Sequence, residues 1–67
     1  MEKDWVKIFS SKDAVKAELV KILLDENGIP AVVINKKESL TMLLGEAEVY
    51  VRRDDVLKAT NLIQSNN

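Results

Sequence analysis

In the segment EAEVYVR, residues 46–52, apolar side chains alternate strictly with charged or aromatic ones. This alternation restricts the possible folds more than any other feature. Every second position is apolar: Ala47, Val49 and Val51. The positions between them carry charged or aromatic side chains. Successive side chains of a strand point to opposite faces, so the pattern predicts a strand with one buried face. A sheet built around this strand needs helices on one side only.

Residues 13–27, DAVKAELVKILLDEN, predict a helix. Its predicted apolar face consists of Val15, Leu19, Ile22 and Leu23. Val20 and Leu24 widen that face, which fits a helix packed on two sides. Ser10 or Ser11 is expected to cap the start, with Asp13 favourably placed nearby. Gly28 is expected to end the helix as a left-handed cap, with Pro30 beyond it.

Three further segments complete the pattern. Residues 5–9 are aromatic and β-branched and predict a first strand, expected to lie at a sheet edge. Residues 29–35 are apolar at successive positions and predict a second strand that is covered on both faces or central to a contact. After the strand at 46–51, Asp54 is expected to cap a second helix. Its apolar stripe is Val56, Ala59, Leu62 and Ile63.

The predicted order is β-α-β-β-α, which is an α+β, ferredoxin-like unit without its last strand. Two helices should cover one face of a three-stranded antiparallel sheet. We find no internal repeat or linker, so residues 1–67 are predicted to form a single domain. So small a domain has a modest core, which makes self-association a reasonable expectation.

Composition excludes most catalytic chemistry. The chain contains no cysteine and no histidine, which removes thiolate and imidazole metal sites and the Ser-His and Cys-His nucleophile pairs. No enzyme activity, metal or cofactor is therefore expected. A formal net charge of -1 gives no strong field for nucleic acid or an anionic membrane. The charged start, MEKD, and the absence of a long apolar run predict a cytoplasmic protein.

Three phrases carry a family resemblance: DWVKIFSS near the start, AELVKILLDENGIPAVVINKKES over residues 17–39, and GEAEVYVRRDDVLKA over residues 45–59. In this order they resemble domain of unknown function 2007, also labelled "putative prokaryotic signal-transducing protein". The resemblance covers nearly the full length. It implies a fold similar to PII-type nitrogen regulators and other ferredoxin-like sensors, with no established biochemical activity.

The connection between the second and third strands, residues 35–45, is where this sequence departs from the family. Relatives often carry polar and aromatic residues there, whereas this chain has Leu40, Met42, Leu43 and Leu44. In PII-type regulators the matching connection carries partner contacts, an analogy of fold alone. Those regulators also bind ATP with glycine-rich segments. The only glycines here are Gly28 and Gly45, so no phosphate-binding run is present.

Alternation also places the aromatic residues. If Val6 and Val49 face the helices, then Trp5, Phe9 and Tyr50 lie together on the helix-free face of the sheet. Such a face could stack RNA bases, but Glu46 and Glu48 on the same side argue against nucleic acid. An interface with another protein chain is the simpler interpretation. The apolar connection either covers the domain's own core or contacts another chain.

The basic clusters NKKE and VRRDD are interpreted as solvated surface, because they should lie at opposite ends of a hairpin. The leading hypothesis is a non-enzymatic signal-transducing or protein-interaction module that forms a homo-oligomer, dimer or higher. Its expected contact residues are Trp5, Phe9, Tyr50, Leu40, Met42, Leu43 and Leu44. The alternatives are a small-molecule sensor for nucleotides or amino acids and, less favoured, an RNA-binding module.

Overall fold

The computed structural model describes residues 4–36 and 46–65 of the chain. In chain order the elements are β1 (Trp5–Ser11), α1 (Ala14–Glu26), β2 (Ala31–Lys36), β3 (Glu46–Arg52) and α2 (Val56–Ser65). A 3-10 turn over Arg53–Asp55 precedes α2. The predicted order and the α+β, ferredoxin-like class are confirmed. Neither helix of this described part is long and apolar enough to cross a membrane.

β3 is the middle strand of the three-stranded sheet. It pairs antiparallel with β1 on one side and with β2 on the other, which gives the order β1-β3-β2. β1 and β2 therefore run parallel to each other and are connected through α1, the split β-α-β arrangement of ferredoxin-like folds. The alternation in β3 is confirmed, because Ala47, Val49 and Val51 are all buried.

A β-bulge in β1 changes which of its side chains face the helices. Lys7 pairs with Tyr50, and two positions later Phe9 pairs with Val49. Two steps on β1 thus match one step on β3, and Ile8 is the extra residue. Phe9 shares the face of Val49 and packs against the core. The prediction that Phe9 lies on the sheet face opposite the helices is wrong. The extra residue of the bulge shifts the alternation of side chains by one position, so Phe9 faces the core.

The start of α1 is capped by Asp13, whose Oδ1 accepts a hydrogen bond from the backbone N–H of Val15 at 2.9 Å. The hydroxyl of Ser11 instead accepts from the N–H of Asp13 at 3.0 Å. The prediction that Ser10 or Ser11 is the cap is therefore corrected. Both serines belong to β1, which runs two residues further than predicted and pairs with β3 up to Ala47.

α1 ends in a Schellman motif, in which Gly28 is the predicted left-handed glycine cap. Gly28 has φ +79°, a conformation that costs glycine nothing. Its N–H donates to the carbonyl of Asp25 at 3.1 Å, and the N–H of Ile29 donates to the carbonyl of Leu24 at 2.9 Å. Ile29 and Leu24 are both buried, so the motif also contributes two side chains to the core.

α1 buries the side of its predicted apolar face that Val20 and Leu24 add, and not the main stripe. Ala17 and Leu24 are fully buried, and Val20 packs against the same core. Most of the predicted stripe is instead exposed: Val15 by 65%, Leu19 by 59% and Ile22 by 49%. We call these three residues the outer stripe. The helix is apolar on both sides, and a pattern weighted toward large side chains overlooks the small Ala17 at the centre of the buried face.

β2 is an edge strand of the described sheet, and one of its faces is only partly covered, so of the two predictions the strand covered on both faces is not met. Ala31 and Val33 pack against the core. Val32 pairs with Tyr50 on the other face and is 37% exposed. The predicted edge position of β1 is confirmed. The continuous apolar run of β2 therefore places aliphatic side chains on both sides of a sheet that has helices on one.

The stripe predicted for α2 is confirmed in its main part. Ala59 is fully buried, and Val56 and Leu62 pack against the core. Asp54 was expected to cap this helix, but it lies inside the 3-10 turn that precedes Val56. Its negative charge still lies near the N-terminus of α2, where the helix dipole favours it.

Side chains on the exposed flank of α1 form one ion pair. Lys21 Nζ lies 2.7 Å from Asp25 Oδ2, one helical turn away. This hydrogen bond, aided by the charge of Asp25, raises the pKa of Lys21 above its ordinary value of 10.5. A pKa that is raised in the folded state stabilises the fold at pH values below the ordinary pKa. This stabilisation disappears as the pH rises through the raised pKa.

The core is small. In the described part of the chain its buried apolar members are Ala17, Leu24, Ile29, Ala47, Val49, Val51 and Ala59. The largest fully buried side chains are those of Leu24, Val49 and Val51. Small domains are stable by only about 0.05–0.15 kcal/mol per residue, so each of these side chains supplies a large share of the total.

Truncation of Leu24 should test the assignment of the buried face. Leu24→Ala removes a fully buried side chain and leaves a cavity, so it should lower the free energy of unfolding by about 2–5 kcal/mol. The measurement is urea unfolding followed by circular dichroism, in dilute protein so that association does not contribute.

Leu19→Ala is the matched control for this measurement, because it makes the same truncation on the opposite side of the same helix. At an exposed position the change should stay within about 0.5 kcal/mol. Equal losses for the two variants would mean that the orientation of α1 described above is wrong.

Candidate interaction surface

The sheet face opposite α1 and α2, which we call the open face, is built by all three strands. Because paired residues share a face, its members follow from the register with β3, whose helix side is known. They are Trp5, Lys7 and Ser10 in β1, Val32 and Ile34 in β2, and Glu48, Tyr50 and Arg52 in β3.

At one end of the open face, Trp5 and Arg52 form a cross-strand pair. The guanidinium carbon of Arg52 lies 5.8 Å from the centroid of the indole ring, within the range of a cation–π contact. The backbone N–H of Arg53 donates to the carbonyl of Asp4 at 2.6 Å and continues the pairing beyond the strand ends. This end therefore presents a half-buried aromatic ring beside an exposed cation.

The middle of the open face holds a buried carboxylate. Glu48 is only 5% exposed, although it lies on the side of β3 away from the helices. The hydroxyl of Tyr50 donates to its Oε1 at 2.8 Å. Lys7 Nζ lies 3.5 Å from its Oε2 and forms an ion pair. A buried charge requires such compensation, because the alternative is the full cost of its lost hydration.

The two contacts of Glu48 differ in strength. The hydrogen bond from Tyr50 is short and goes to a charged acceptor, a type that contributes about 1.5–3 kcal/mol. The side chain of Lys7 is 50% exposed, so water and salt screen its ion pair, and such pairs contribute about 0–1 kcal/mol. Of these two contacts, the hydrogen bond from Tyr50 therefore stabilises the carboxylate more.

Chemically, the open face resembles the centre of a protein interface. Its carboxylate accepts a hydrogen bond from Tyr50 and forms an ion pair with Lys7, and the same face carries the aromatic and aliphatic side chains of Trp5 and Val32. Arg52 supplies a cation at the rim. Interface cores are enriched in Tyr, Trp and Arg and depleted of unpaired charge. Lys7 faces a carboxylate, which reduces the positive charge available for a nucleic-acid backbone.

The predicted contact residues divide into three groups. Trp5 and Tyr50 lie together on the open face, as expected. Phe9 lies on the opposite side, with the core. The remaining four residues lie outside the described part of the chain: Leu40, Met42, Leu43 and Leu44. Sequence reasoning missed the burial of Glu48, which the spacing Glu-x-Tyr on one strand face could have suggested.

The basic clusters do not form a common site in the part the structure describes. Lys36 pairs with Glu46 at one end of the β2–β3 ladder, and Arg52 follows Val51 at the other. The predicted separation of Lys36 and Arg52 is thereby confirmed. Among residues 4–36 and 46–65, no group of three or more His, Cys, Asp or Glu side chains is placed to hold a metal ion.

Comparison with known proteins gives one match. The model of a protein family, domain of unknown function 2007, described as "Putative prokaryotic signal transducing protein", matches residues 5–67. No curated protein and no solved structure matches the chain. The match covers every described strand and helix.

Replacing Tyr50 and Lys7 one at a time should show which of the two stabilises the buried Glu48 more. Tyr50→Phe removes only the hydroxyl and should lower the free energy of unfolding by about 1.5–3 kcal/mol. Lys7→Met keeps the aliphatic stem and should cost about 1 kcal/mol or less. Chemical denaturation at neutral pH measures both changes.

Glu48→Gln serves as the control background, because it removes the charge and keeps the shape. Tyr50→Phe should cost less in this background than in the natural sequence. An equal cost in both would show that the contribution of the hydroxyl does not depend on the negative charge of residue 48.

Proposed function

The chain belongs to the family of domain of unknown function 2007, and from this premise we propose that it is a non-enzymatic protein-interaction module of a cytoplasmic signalling pathway that self-associates. The observation that carries the proposal is the open face. It carries the side chains of Trp5, Tyr50 and Val32 together with a carboxylate, that of Glu48, which already contacts Tyr50 and Lys7. The proposed ligand of this face is a protein surface.

The charge arrangement supports a protein ligand. A free carboxylate at the centre of the face would have to lose its hydration whenever an apolar partner covered it. Glu48 has lost that hydration already in the folded chain, at 5% exposure, and its hydrogen bond and ion pair compensate the loss. The face can therefore be covered by a partner without a new desolvation penalty at its centre.

Trp5 is the proposed energetic centre of the contact. Large aromatic side chains dominate the binding energy of protein interfaces, and their truncation costs about 2 kcal/mol or more. Trp5 is held in place by its pairing with Arg52 and by the cation–π contact with that guanidinium. A ring that is already ordered loses little conformational entropy on binding.

Photo-crosslinking in cells should identify the partner and test the face together. A photo-reactive amino acid in place of Val32 should give a discrete protein adduct, because this side chain lies on the open face. Adding Trp5→Ala should reduce the adduct by about thirtyfold, the effect of losing about 2 kcal/mol.

The same photo-reactive group in place of Leu57 is the matched control. Leu57 is an exposed aliphatic residue of α2 and does not belong to the open face. The same adducts from both positions, or an adduct at Val32 that persists in the Trp5→Ala variant, would contradict the proposal. Circular dichroism should confirm that the Trp5→Ala variant is folded.

A small-molecule sensor is the second candidate, and the buried carboxylate is the observation that favours it. Specific ligand sites combine apolar lining with a few fixed polar groups, and Glu48 with Tyr50 and Lys7 is such a group. PII-type regulators offer the analogy at the level of the fold.

A thermal-shift screen against nucleotides and amino acids should test the sensor. A ligand that binds the folded state at about 100 times its Kd adds about 2.7 kcal/mol of apparent stability. This shift should disappear in the Glu48→Gln variant. A flat response to the whole panel would reject the sensor and leave the interaction module.

A further inference from the structure

The outer stripe of α1 forms a second apolar surface, separate from the open face. Val15, Leu19 and Ile22 follow one another at spacings of four and three residues, so they align along one side of the helix. The residues that α1 buries, Ala17 and Leu24, lie on its other side. The outer stripe therefore faces away from the sheet on the side of the helices. The open face is the opposite surface of the sheet.

Such a stripe is unusual on a surface helix. A helix packed on one side is expected to show polar residues opposite its buried face. Here the side opposite the core carries three large aliphatic residues that are 49–65% exposed. Contiguous exposed apolar area of this kind marks interaction sites more often than scattered apolar residues do.

Charges are distributed unevenly along the length of α1. Lys12 and Lys16 lie at the N-terminal end of this segment, and Asp25 and Glu26 lie at the C-terminal end. Lys12 and Glu26 are each seven positions from Leu19, the middle residue of the outer stripe. In an antiparallel pair of such helices with an axis near Leu19, Lys12 of one copy thus lies opposite Glu26 of the other.

We propose that the outer stripe is the self-association surface of this protein, where α1 packs antiparallel against α1 of a second copy across a twofold axis near Leu19. The inference rests on the self-association proposed above and assigns a surface to it. An isologous contact requires a self-complementary surface, and the stripe with its opposite charged ends meets that requirement.

The antiparallel orientation follows from two electrostatic terms. Parallel helices would place Lys12 beside Lys12 and Glu26 beside Glu26 of the other copy, whereas antiparallel helices pair unlike charges. Antiparallel helix dipoles also attract each other. Asp13 and Asp25 would approach as like charges, but Asp13 accepts from the Val15 N–H and Asp25 is held by Lys21.

The size of the surface sets the expected strength. A helix of 13 residues is about 20 Å long, so the contact extends over three to four turns. Stable complexes bury about 800 Å² per partner, and one helix stripe provides less. The dimer should therefore be weak, with a Kd of about micromolar or higher. It should exchange rapidly and respond to protein concentration.

Sedimentation of the full chain over micromolar to millimolar concentrations should test the surface. Leu19→Glu places two carboxylates face to face at the proposed axis and should raise the dimer Kd by about tenfold or more. Val32→Glu introduces the same charge on the open face and should leave the Kd unchanged within about twofold. Circular dichroism of both variants should verify that they are folded.

Charge exchange tests the antiparallel orientation independently of the apolar residues. Lys12→Glu and Glu26→Lys each replace two unlike pairs by like pairs and should weaken the dimer by about threefold or more. In an equimolar mixture the two variants should associate better with each other than either does with itself. Both substitutions lie at exposed positions, so the fold should tolerate them.

The outcomes separate two proposals: that the protein self-associates, and that the outer stripe is the surface through which it does so. If the natural sequence dimerises but Leu19→Glu has no effect, the outer stripe is not the surface, while self-association stands. If Val32→Glu dissociates the dimer, the open face mediates self-association and the inference is overturned. If the natural sequence is monomeric throughout, self-association itself is wrong, and the partner-binding role of the open face is judged by crosslinking at position 32.

Discussion

The pairing of β3 with a strand on each side is the constraint on which the rest of the structure depends. It fixes which side chains of all three strands are buried, because each paired residue of β1 and β2 shares the face of its partner in β3. Val49 and Val51 then become the centre of a small core, and both helices must lie on that side. The other side is left to Glu48, Tyr50 and Arg52, so the same pairing that builds the core also creates the open face.

The sequence predicts the fold well where a pattern has one interpretation. The alternation of residues 46–52 and the glycine that ends α1 lead directly to β3 and to the Schellman motif. Prediction fails where two structures share a pattern. The bulge at Ile8 leaves no composition signal, so Phe9 is assigned to the wrong face. α1 is apolar on both sides, and only the position of the small Ala17 distinguishes the buried side.

The candidate site is predictable in part for the same reason. Trp5 and Tyr50 share a face because Trp5 pairs with Arg52, which lies two positions from Tyr50 on β3, and alternation can show this. The ion pair of Glu48 depends on where Lys7 lies across the sheet, and the bulge next to Lys7 sets that relation. A contact between side chains 41 positions apart is a property of the register, which cannot be obtained from either strand alone.

The Schellman motif joins the end of α1 to the core through one residue. Leu24 accepts the N–H of Ile29 with its carbonyl and fills the core with its side chain, while Ile29 is itself buried. The helix therefore cannot fray at this end without exposing two core side chains. Amide protons near a helix end usually exchange with solvent through local opening, but opening this end also exposes the side chains of Leu24 and Ile29. The amide of Ile29 should therefore exchange more slowly than a helix-end amide whose opening exposes no core side chain.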